Sequence, residues 1–240
     1  MWRIIMMVVR LFLKAPYYFC RIWKYSKSDK PFEERFFYIK KVTKAANKAG
    51  RVKIETYGEE NIPKKNGFVF FPNHQGLFDV LVFLDVCPVP FTFVMKKEVR
   101  NVILLKQVAD AMEALAIDRE DVRQSMTVIQ KMSEEVKKGR NFLIFPEGTR
   151  SKTHNKPIDF KGGSFKSAVK AKCPIVPCAL IDTYKPFDEK SIKPVSVTMI
   201  YLPPMYYEEY SGMKTTEIAA EVKHRIEVAI EEHQGKQKKN

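Results

Sequence analysis

The sequence lacks an uninterrupted apolar segment long enough to cross a bilayer as a helix. Its most apolar region is residues 1–27, where the longest charge-free runs are Ile4–Val9 and Ala15–Cys20. Both fall well short of the roughly 20 residues that a spanning helix needs. Arg10 and Lys14 interrupt the apolar core of a secretory signal, and no small-x-small cleavage site follows. We therefore predict neither a spanning helix nor a cleaved signal.

Cysteines are few, and their spacing matches no zinc site. The four cysteines are Cys20, Cys87, Cys173 and Cys178. A chain of 240 residues is too large to need disulfide staples. Cys173 and Cys178 flank the apolar run "PIVP", and we interpret them as core residues beside a strand. We expect reduced thiols, no metal site and no bound cofactor.

Acidic residues are outnumbered by basic ones, 28 against 42, which gives a formal net charge of +14. Such an excess predicts attraction to anionic partners: nucleic acid, anionic lipid, phosphorylated metabolites or acidic proteins. Nucleic acid is disfavoured, because the chain contains no recognised binding module and no interleaving of aromatic and basic residues. We expect the basic tail, residues 236–240, to be solvated and disordered.

Residues 1–30 carry much of this charge, with seven basic side chains and one acidic. On a helix, Arg3, Arg10 and Lys14 fall within roughly 40° of one another, and Pro16 breaks or kinks the helix. We interpret residues 1–30 as two short amphipathic helices that lie in the interface with their cations toward lipid headgroups. They would hold a monotopic, peripheral protein on the cytoplasmic face of the cell membrane. The alternative is a pair of core helices packed on the domain.

Strands and helices alternate through residues 31–235, without repeats or low-complexity segments. The predicted strands are RVKIETYG, GFVFFPN, FTFVM, ALAI, NFLIF, IVPCALI and VSVTMIYL. The predicted helices cover about 32–49, 77–86, 97–110, 119–138, 164–171 and 215–232. This order predicts one α/β domain with a largely parallel sheet flanked by helices on both faces.

His74 and Asp79 follow the buried strand GFVFFPN. A regular helix would put them about 140° apart, so they can meet only if His74 lies on the turn and Asp79 in the first turn of the next helix. Asp79 could then accept the Nδ1 proton and leave Nε2 free as a base. On spacing alone, a surface His hydrogen-bonded to an Asp is the better interpretation. The position beyond a strand's carboxyl end favours a site.

Three further segments combine turns with charge. Glu147 and Arg150 follow the strand NFLIF, where Arg150 could bind phosphate and Glu147 could orient it or bind a substrate hydroxyl; alternatively they are a surface ion pair. Asp118 could cap the 119–138 helix while Arg119 points outward. In DFKGGSF, a glycine turn with Lys161 could wrap an anionic group.

Together these segments resemble the glycerolipid acyltransferases, specifically the bacterial 1-acyl-glycerol-3-phosphate acyltransferases. Four ordered blocks carry the resemblance: NHQGLFD at 73–79, Ile117-Asp118-Arg119, Phe145 through Ser151, and Ile175-Val176-Pro177. FVMKKE and Phe160 through Gly163 also resemble family segments, so the likeness covers about residues 50–205. Gly76 departs from the pattern, since family members often carry Ser there.

The resemblance implies a glycerophosphate acyltransferase-like fold and direct acyl transfer from a thioester, acyl-CoA or acyl-carrier protein, to the 2-hydroxyl of lysophosphatidic acid. His74 would be the base and Asp79 its partner. Backbone N–H groups around 73–76 or 147–149 would stabilise the oxyanion. The implied substrate-binding residues are Asn73, Lys96, Arg119, Glu147, Gly148, Thr149, Arg150 and Lys161.

Two other functions stay open at this point. The acceptor could be a different lysolipid or glycerol phosphate. A catalytically silent protein that binds anionic membranes would also explain the charge and residues 1–30. That second function gives no reason for His74, Asp79, Glu147 and Arg150 to follow buried strands.

Overall fold

The computed structural model describes residues 2–102 and 104–237, in which seven strands form one sheet of order β1-β7-β6-β2-β5-β3-β4. The strands are β1 Val52–Tyr57, β2 Val69–Pro72, β3 Thr92–Lys96, β4 Leu115–Ile117, β5 Phe142–Leu143, β6 Ile175–Ile181 and β7 Val195–Tyr201. Neighbours pair in parallel except β6 with β7, which is antiparallel. The predicted α/β class with a largely parallel sheet is confirmed.

Ten α-helices accompany these strands in the described chain. They are α1 Trp2–Arg10, α2 Ala15–Tyr25, α3 Phe32–Ala49, α4 Asp79–Val86, α5 Leu105–Ala111, α6 Val122–Lys137, α7 Lys166–Ala171, α8 Lys185–Asp188, α9 Tyr207–Tyr210 and α10 Thr215–Gln237. The short helices α8 and α9 escaped prediction, because four residues are too few to show a periodicity. None of the described helices is both long and apolar enough to cross a membrane.

The antiparallel step divides the sheet into two groups of strands. Strands β6, β2, β5, β3 and β4 run the same way, whereas β7 and β1 run the other way. The carboxyl ends of the first five therefore lie along one edge, and that edge is where an open α/β sheet binds its ligands. We refer to it as the carboxyl edge.

Two hydrophobic clusters cover the two faces of this sheet. One contains Phe36, Phe70 and Phe83 with the helices α3, α4 and α5. The other contains Met132, Phe165 and Val222 with the helices α6, α7 and α10. Val69 and Phe71 of β2 belong to the second cluster and Phe70 to the first, which explains why this strand is apolar on both faces.

Helices α1 and α2 exist as predicted, but their orientation differs from the prediction. Arg3, expected to face lipid headgroups, is 1% exposed and donates to backbone carbonyls of the protein body. Arg10, on the same stripe, donates to the Ala49 carbonyl oxygen. Of the predicted stripe, Arg3 therefore packs inward, whereas Arg10 and Lys14 remain exposed. The other exposed side chains of α1 are apolar: Trp2, Ile4, Ile5, Val8 and Val9.

Several predicted boundaries were wrong. The helix expected over 97–110 is a 3₁₀ turn over Lys97–Asn101 followed by α5, and Ile103 lies outside the described residues. The 119–138 helix begins only at Val122, because Asp121 rather than Asp118 caps it by accepting from the Gln124 amide at 3.0 Å. In the predicted basic tail, residue 236 is helical, and 238–240 lie outside the described residues.

Candidate active site

His74 and Asp79 meet at the carboxyl edge, directly after the central strand β2. His74 lies on the turn and Asp79 is the first residue of α4, as the five-residue spacing requires. The His74 Nδ1 and Asp79 Oδ2 atoms are 2.7 Å apart. Asp79 is fully buried, whereas part of the His74 ring remains exposed. Within the described chain no group hydrogen-bonds His74 Nε2, so that nitrogen is available to a ligand.

Asp79 also organises the turn that carries His74. Its Oδ2 atom accepts backbone N–H groups from Gln75 at 2.7 Å and Gly76 at 3.0 Å. These contacts hold the Asp79 side chain against the backbone of the turn. In that position a carboxylate can accept the Nδ1 proton of His74 and leave Nε2 free to take up a second proton.

The imidazole is further held by an aromatic ring. Phe145, just beyond β5, stacks on His74 with ring centroids 4.1 Å apart and an interplanar angle of 27°. Asp79 at one ring edge and Phe145 on one ring face leave the Nε2 edge as the reactive side. A base that is fixed in both tautomer and orientation suits proton abstraction from a bound hydroxyl.

Glu147 does not have the position that the sequence predicted for it. It is 1% exposed and makes no ion pair with Arg150; instead its Oε1 atom accepts the His74 backbone N–H at 2.8 Å. Its Oε2 atom accepts the more distant Ile158 N–H at 3.4 Å. Burial raises the pKa of Glu147 to about 7, although both backbone hydrogen bonds act to lower it. Glu147 therefore holds the backbone of the turn that carries His74, residues 73–76, which is the candidate catalytic turn.

Asn73 is likewise internal rather than open to a ligand. Its side chain forms a two-way bridge to β6, accepting the Leu180 N–H at 2.7 Å and donating to the Leu180 carbonyl at 3.0 Å. This bridge continues the β2–β6 pairing for one more residue and fixes the start of the His74 turn. Asn73 was predicted to bind substrate; in the structure it positions the turn.

Most of the backbone donors predicted for an oxyanion are already engaged. The amides of residues 74, 75 and 76 bond to Glu147 or Asp79, and the Gly148 amide bonds to the Phe145 carbonyl. These four N–H groups shape the turn instead of facing a ligand, so they are not available to an oxyanion.

Arg150 is exposed and opens onto a pocket beside the catalytic turn. No described residue forms a hydrogen bond or ion pair with it. The pocket measures about 370 Å³ and is lined by Gln75, Thr149, Arg150, Ser151, Lys152, His154, Tyr184 and Asp188. Gln75 adjoins His74 in sequence, and the Ser151 N–H donates to the His74 carbonyl oxygen at 2.8 Å, so the pocket adjoins the backbone of the turn that carries His74. Lys152 and His154 were not predicted as site residues.

Lys96 and Arg119 lie on the other side of the catalytic turn. Extending the strand register places His74 level with residues 147, 97 and 118 on β5, β3 and β4. With strands about 4.8 Å apart, the end of β3 is roughly 10 Å and that of β4 roughly 14 Å from β2. Lys96 pairs with exposed Glu98 at 3.3 Å, and Arg119 is exposed. The predicted phosphate-binding cations are thus spread along the edge, with Arg150 alone beside Gln75.

Lys161 reaches the turn that contains Glu147, while Gly162 beside it packs against another element. Gly148 has φ +70°, and a Cβ placed there would lie 3.0 Å from Lys161 Nζ, so the lysine chain lies over this glycine. A Cβ on Gly162 would instead lie 3.1 Å from Thr215 backbone atoms. Gly162 therefore permits close packing against the start of α10.

A buried network that the sequence did not reveal supports the turn from the β6 side. The Gln75 side chain donates to the Leu180 carbonyl and to Asn155 Oδ1, and accepts both the N–H and the hydroxyl of Thr183. Asn155 in turn bonds Asp182. Asp182 follows β6 directly, so the strand-end rule could have indicated it, whereas Asn155 lies in an irregular loop with no pattern.

Gly76 packs against this network. A Cβ at Gly76 would lie 3.2 Å from the Tyr184 Cα atom. That distance is tight, so a larger residue would require the segment after β6 to move by a few tenths of an ångström. The glycine thus brings this segment, which also lines the Arg150 pocket, close to the catalytic turn.

A known protein shares this fold. A solved structure of the 1-acyl-sn-glycerophosphate (LPA) acyltransferase PlsC from Thermotoga maritima superposes with a TM-score of 0.78 at 24% identity, covering 97% of this chain and 96% of that chain. At that identity the likeness establishes the fold alone.

Sequence relatives point the same way. A 1-acyl-sn-glycerol-3-phosphate acyltransferase from Borreliella burgdorferi is 32% identical over 132 residues, 55% of this chain and 52% of that protein. The corresponding protein of Saccharomyces cerevisiae is 33% identical over 132 residues, 54% of this chain and 43% of that protein. The chain thus spans about half the length of the curated relatives it matches. The family model described as Acyltransferase matches residues 53–181, more than half of the chain, and this range includes His74, Asp79, Glu147 and Arg150. The chain therefore belongs to the Acyltransferase family.

Proposed function

We propose that this protein transfers a fatty acyl group from an acyl thioester to the 2-hydroxyl of 1-acylglycerol-3-phosphate, which yields phosphatidic acid. The observation that carries the proposal is the 2.7 Å contact between His74 Nδ1 and Asp79 Oδ2, with Nε2 open at the carboxyl edge. Relatives named 1-acyl-sn-glycerol-3-phosphate acyltransferase support the choice of reaction.

The chemistry needs one base and no intermediate covalently bound to the protein. His74 Nε2 takes the proton of the acceptor hydroxyl as its oxygen attacks the thioester carbonyl, and the negative charge passes to the carbonyl oxygen. The tetrahedral intermediate then expels the thiolate, which receives the proton from the imidazolium. Asp79 stabilises the cation between these two steps. No serine or cysteine attacks the thioester in this scheme, so no acyl-enzyme forms.

The pocket beside Gln75 supports a phosphate-bearing acceptor. Arg150, Lys152 and His154 line it, and the glycerol 2-hydroxyl lies only a few bonds from the phosphate. A phosphate in this pocket would therefore bring the hydroxyl to His74, and such positioning accounts for much of the rate enhancement in reactions of this kind. Lys96 and Arg119, two and three strands away, are better placed for the longer donor. The donor is either acyl-CoA or an acyl-carrier protein.

The test is a panel of acceptors and donors with the purified protein. Lysophosphatidate, lysophosphatidylcholine and glycerol 3-phosphate would each be incubated with an acyl-CoA and with an acyl-carrier protein, and the products identified by mass spectrometry. We expect phosphatidate from lysophosphatidate with at least one donor. Faster acylation of another acceptor would overturn the choice of acceptor. Inactivity on the whole panel together with tight binding to anionic vesicles would favour the silent membrane-binding function.

The exposed apolar surface of α1 and the turn after it supports a place on the membrane. Val9, Phe12 and Leu13 are 67%, 70% and 91% exposed, and the exposed side chains of α1 other than Arg10 are apolar. A soluble protein rarely leaves such a contiguous patch in water. We propose that these residues insert into the interface of the leaflet that supplies the acceptor, at the cytoplasmic face of the cell membrane.

Point substitutions test this insertion more cleanly than a deletion. Removing residues 1–27 would also strip the buried Met7, Ile22 and Tyr25 from the protein. We expect Phe12→Ser with Leu13→Ser to weaken sedimentation with anionic vesicles, whereas Val228→Ser, an exposed apolar site on α10, should not. Unchanged binding by the double variant would refute the insertion.

A further inference from the structure

Arg3 is the most unusual buried charge outside the site. Its side chain is 1% exposed, yet no ion pair joins it to a carboxylate in the described chain. All its hydrogen bonds go to backbone carbonyl oxygens of three separate segments: Gly50 at 2.6 Å, Lys193 at 2.9 Å, Pro186 at 3.1 Å and Ser191 at 3.1 Å. A buried charge is retained only where such contacts compensate for its lost hydration.

These contacts require a guanidinium. Its five N–H groups diverge in a fixed plane, so one side chain can reach the end of α3, the helix α8 and the loop before β7 at once. A lysine ammonium is a single point with three donors and cannot span those positions. The identity of the residue therefore matters beyond its charge.

Close packing between α1 and the end of α3 supports these hydrogen bonds, and we call this contact region the joint. Met7 lies one turn after Arg3, and a Cβ added at Gly50 would come within 2.2 Å of its Cε atom. Arg10, one further turn along, is exposed and makes only one bond, to the Ala49 carbonyl. Arg3 and Met7 thus define the angle at which α1 meets the body of the protein.

The segments that Arg3 joins lead directly to the catalytic turn. Pro186 lies three residues after Thr183, whose N–H and hydroxyl both donate to Gln75 Oε1. The backbone N–H of Gln75 in turn donates to Asp79 Oδ2. Two side chains therefore hold the short stretch 183–186 at its two ends: Gln75 of the candidate site contacts Thr183, and Arg3 of α1 contacts Pro186.

From this arrangement we infer that Arg3 is a positioning residue: it fixes the apolar face of α1 relative to the His74–Asp79 site, so that the site meets an acceptor embedded in a lipid surface. The inference rests on the proposed function and on the proposed membrane contact of α1. Without Arg3 the site chemistry would be intact, but its orientation toward the membrane would no longer be set.

The test compares two forms of the same acceptor. Arg3→Gln, Arg3→Lys and wild type would be assayed on lysophosphatidate in vesicles and on a short-chain lysophosphatidate dispersed as monomers. We expect the ratio of vesicle rate to monomer rate to fall about tenfold or more in both Arg3 variants, the scale of losing charge-assisted hydrogen bonds. Activity on the monomer should stay near that of wild type. Arg10→Gln, on the same stripe, is the matched control and should keep the wild-type ratio.

A second variant covers the case in which Arg3 variants fold poorly. Gly50→Ala perturbs the same joint from the side of α3 without touching any charge, and the same fall in the ratio is expected. If both rates fall equally, the ratio is unchanged and Arg3 serves stability alone; if both rates stay at the wild-type level, the ratio is again unchanged and Arg3 does not set the orientation. Either result overturns the inference.

Failure of the underlying proposals would look different. Wild type inactive on both forms would refute the proposed reaction, and wild type active on monomers but unable to bind vesicles would refute the membrane contact. Only a wild type active on both forms, with Arg3 variants that keep its ratio, refutes the role of Arg3 by itself.

Discussion

Replacing Glu147 with Gln should make the protein more stable at alkaline pH. The ordinary carboxyl pKa of 4.5 rises to about 7 for Glu147 because burial disfavours its charge. Between these two values the unfolded chain has lost the proton that the folded protein retains, so the free energy of unfolding falls as pH rises. The fall begins near pH 4.5 and is complete somewhat above pH 7. A displacement of this size corresponds to on the order of 3 kcal/mol.

The Gln variant removes this dependence while keeping most of the geometry. Its amide oxygen can still accept the His74 N–H, and only the weaker 3.4 Å contact to the Ile158 amide is lost. That loss is the same at every pH. The free energy of unfolding of the variant minus that of wild type therefore has two parts. The part from the altered contact is constant, so any change of this difference with pH comes from the charge of Glu147.

Urea denaturation of both proteins at about pH 5 and about pH 8 measures this difference. We expect Glu147→Gln to gain about 2–3 kcal/mol relative to wild type between the two conditions. Glu232→Gln, on the exposed side of α10, is the matched control and should show no such gain. If the difference between Glu147→Gln and wild type is the same at both pH values, then Glu147 does not carry a raised pKa and the description of its burial is wrong.

Three other substitutions test the site. Asp79→Asn should lower the acyl-transfer rate by about 10²–10⁴-fold without unfolding the protein, because a neutral amide no longer stabilises the imidazolium; a rate near wild type, measured with the thioester assay, would contradict this. Asn73→Ala should lower the free energy of unfolding by about 2 kcal/mol through the lost bridge to Leu180, and an unchanged urea midpoint would argue against it. Gly148→Ala should cost about 1 kcal/mol because of its positive φ, and should displace Lys161; equal stability and activity would show that this turn tolerates a side chain.

The order of strands and helices could be predicted because the spacing of apolar residues along the sequence differs between strands and helices. So could the meeting of His74 and Asp79, since only a strand-turn-helix arrangement can join two residues at that spacing. The reversal of β7 could not be predicted, because an apolar strand reads alike in either direction. The sequence also did not show that Asp121 rather than Asp118 caps α6, since both residues precede the same apolar pattern.

The roles of buried polar side chains could not be predicted from the sequence, for a different reason. A motif shows that Glu147 and Asn73 are near the site, but not whether they face solvent or a backbone amide of a distant strand. Arg3 illustrates the same limit. The helical wheel correctly grouped the cations of α1 on one side, yet only the carbonyls of α3, α8 and the loop before β7 determine that Arg3 faces the protein.

The central claim is that His74 acts as the base in direct acyl transfer, and its most direct test is the rate of phosphatidate formation by His74→Ala against wild type under saturating thioester. We expect a loss of about 10²–10⁴-fold, the range attributed to a general base, in a variant with unchanged circular dichroism and urea midpoint. A folded His74→Ala protein that keeps a rate within about tenfold of wild type would contradict it, since a rate that close is outside what loss of a general base allows.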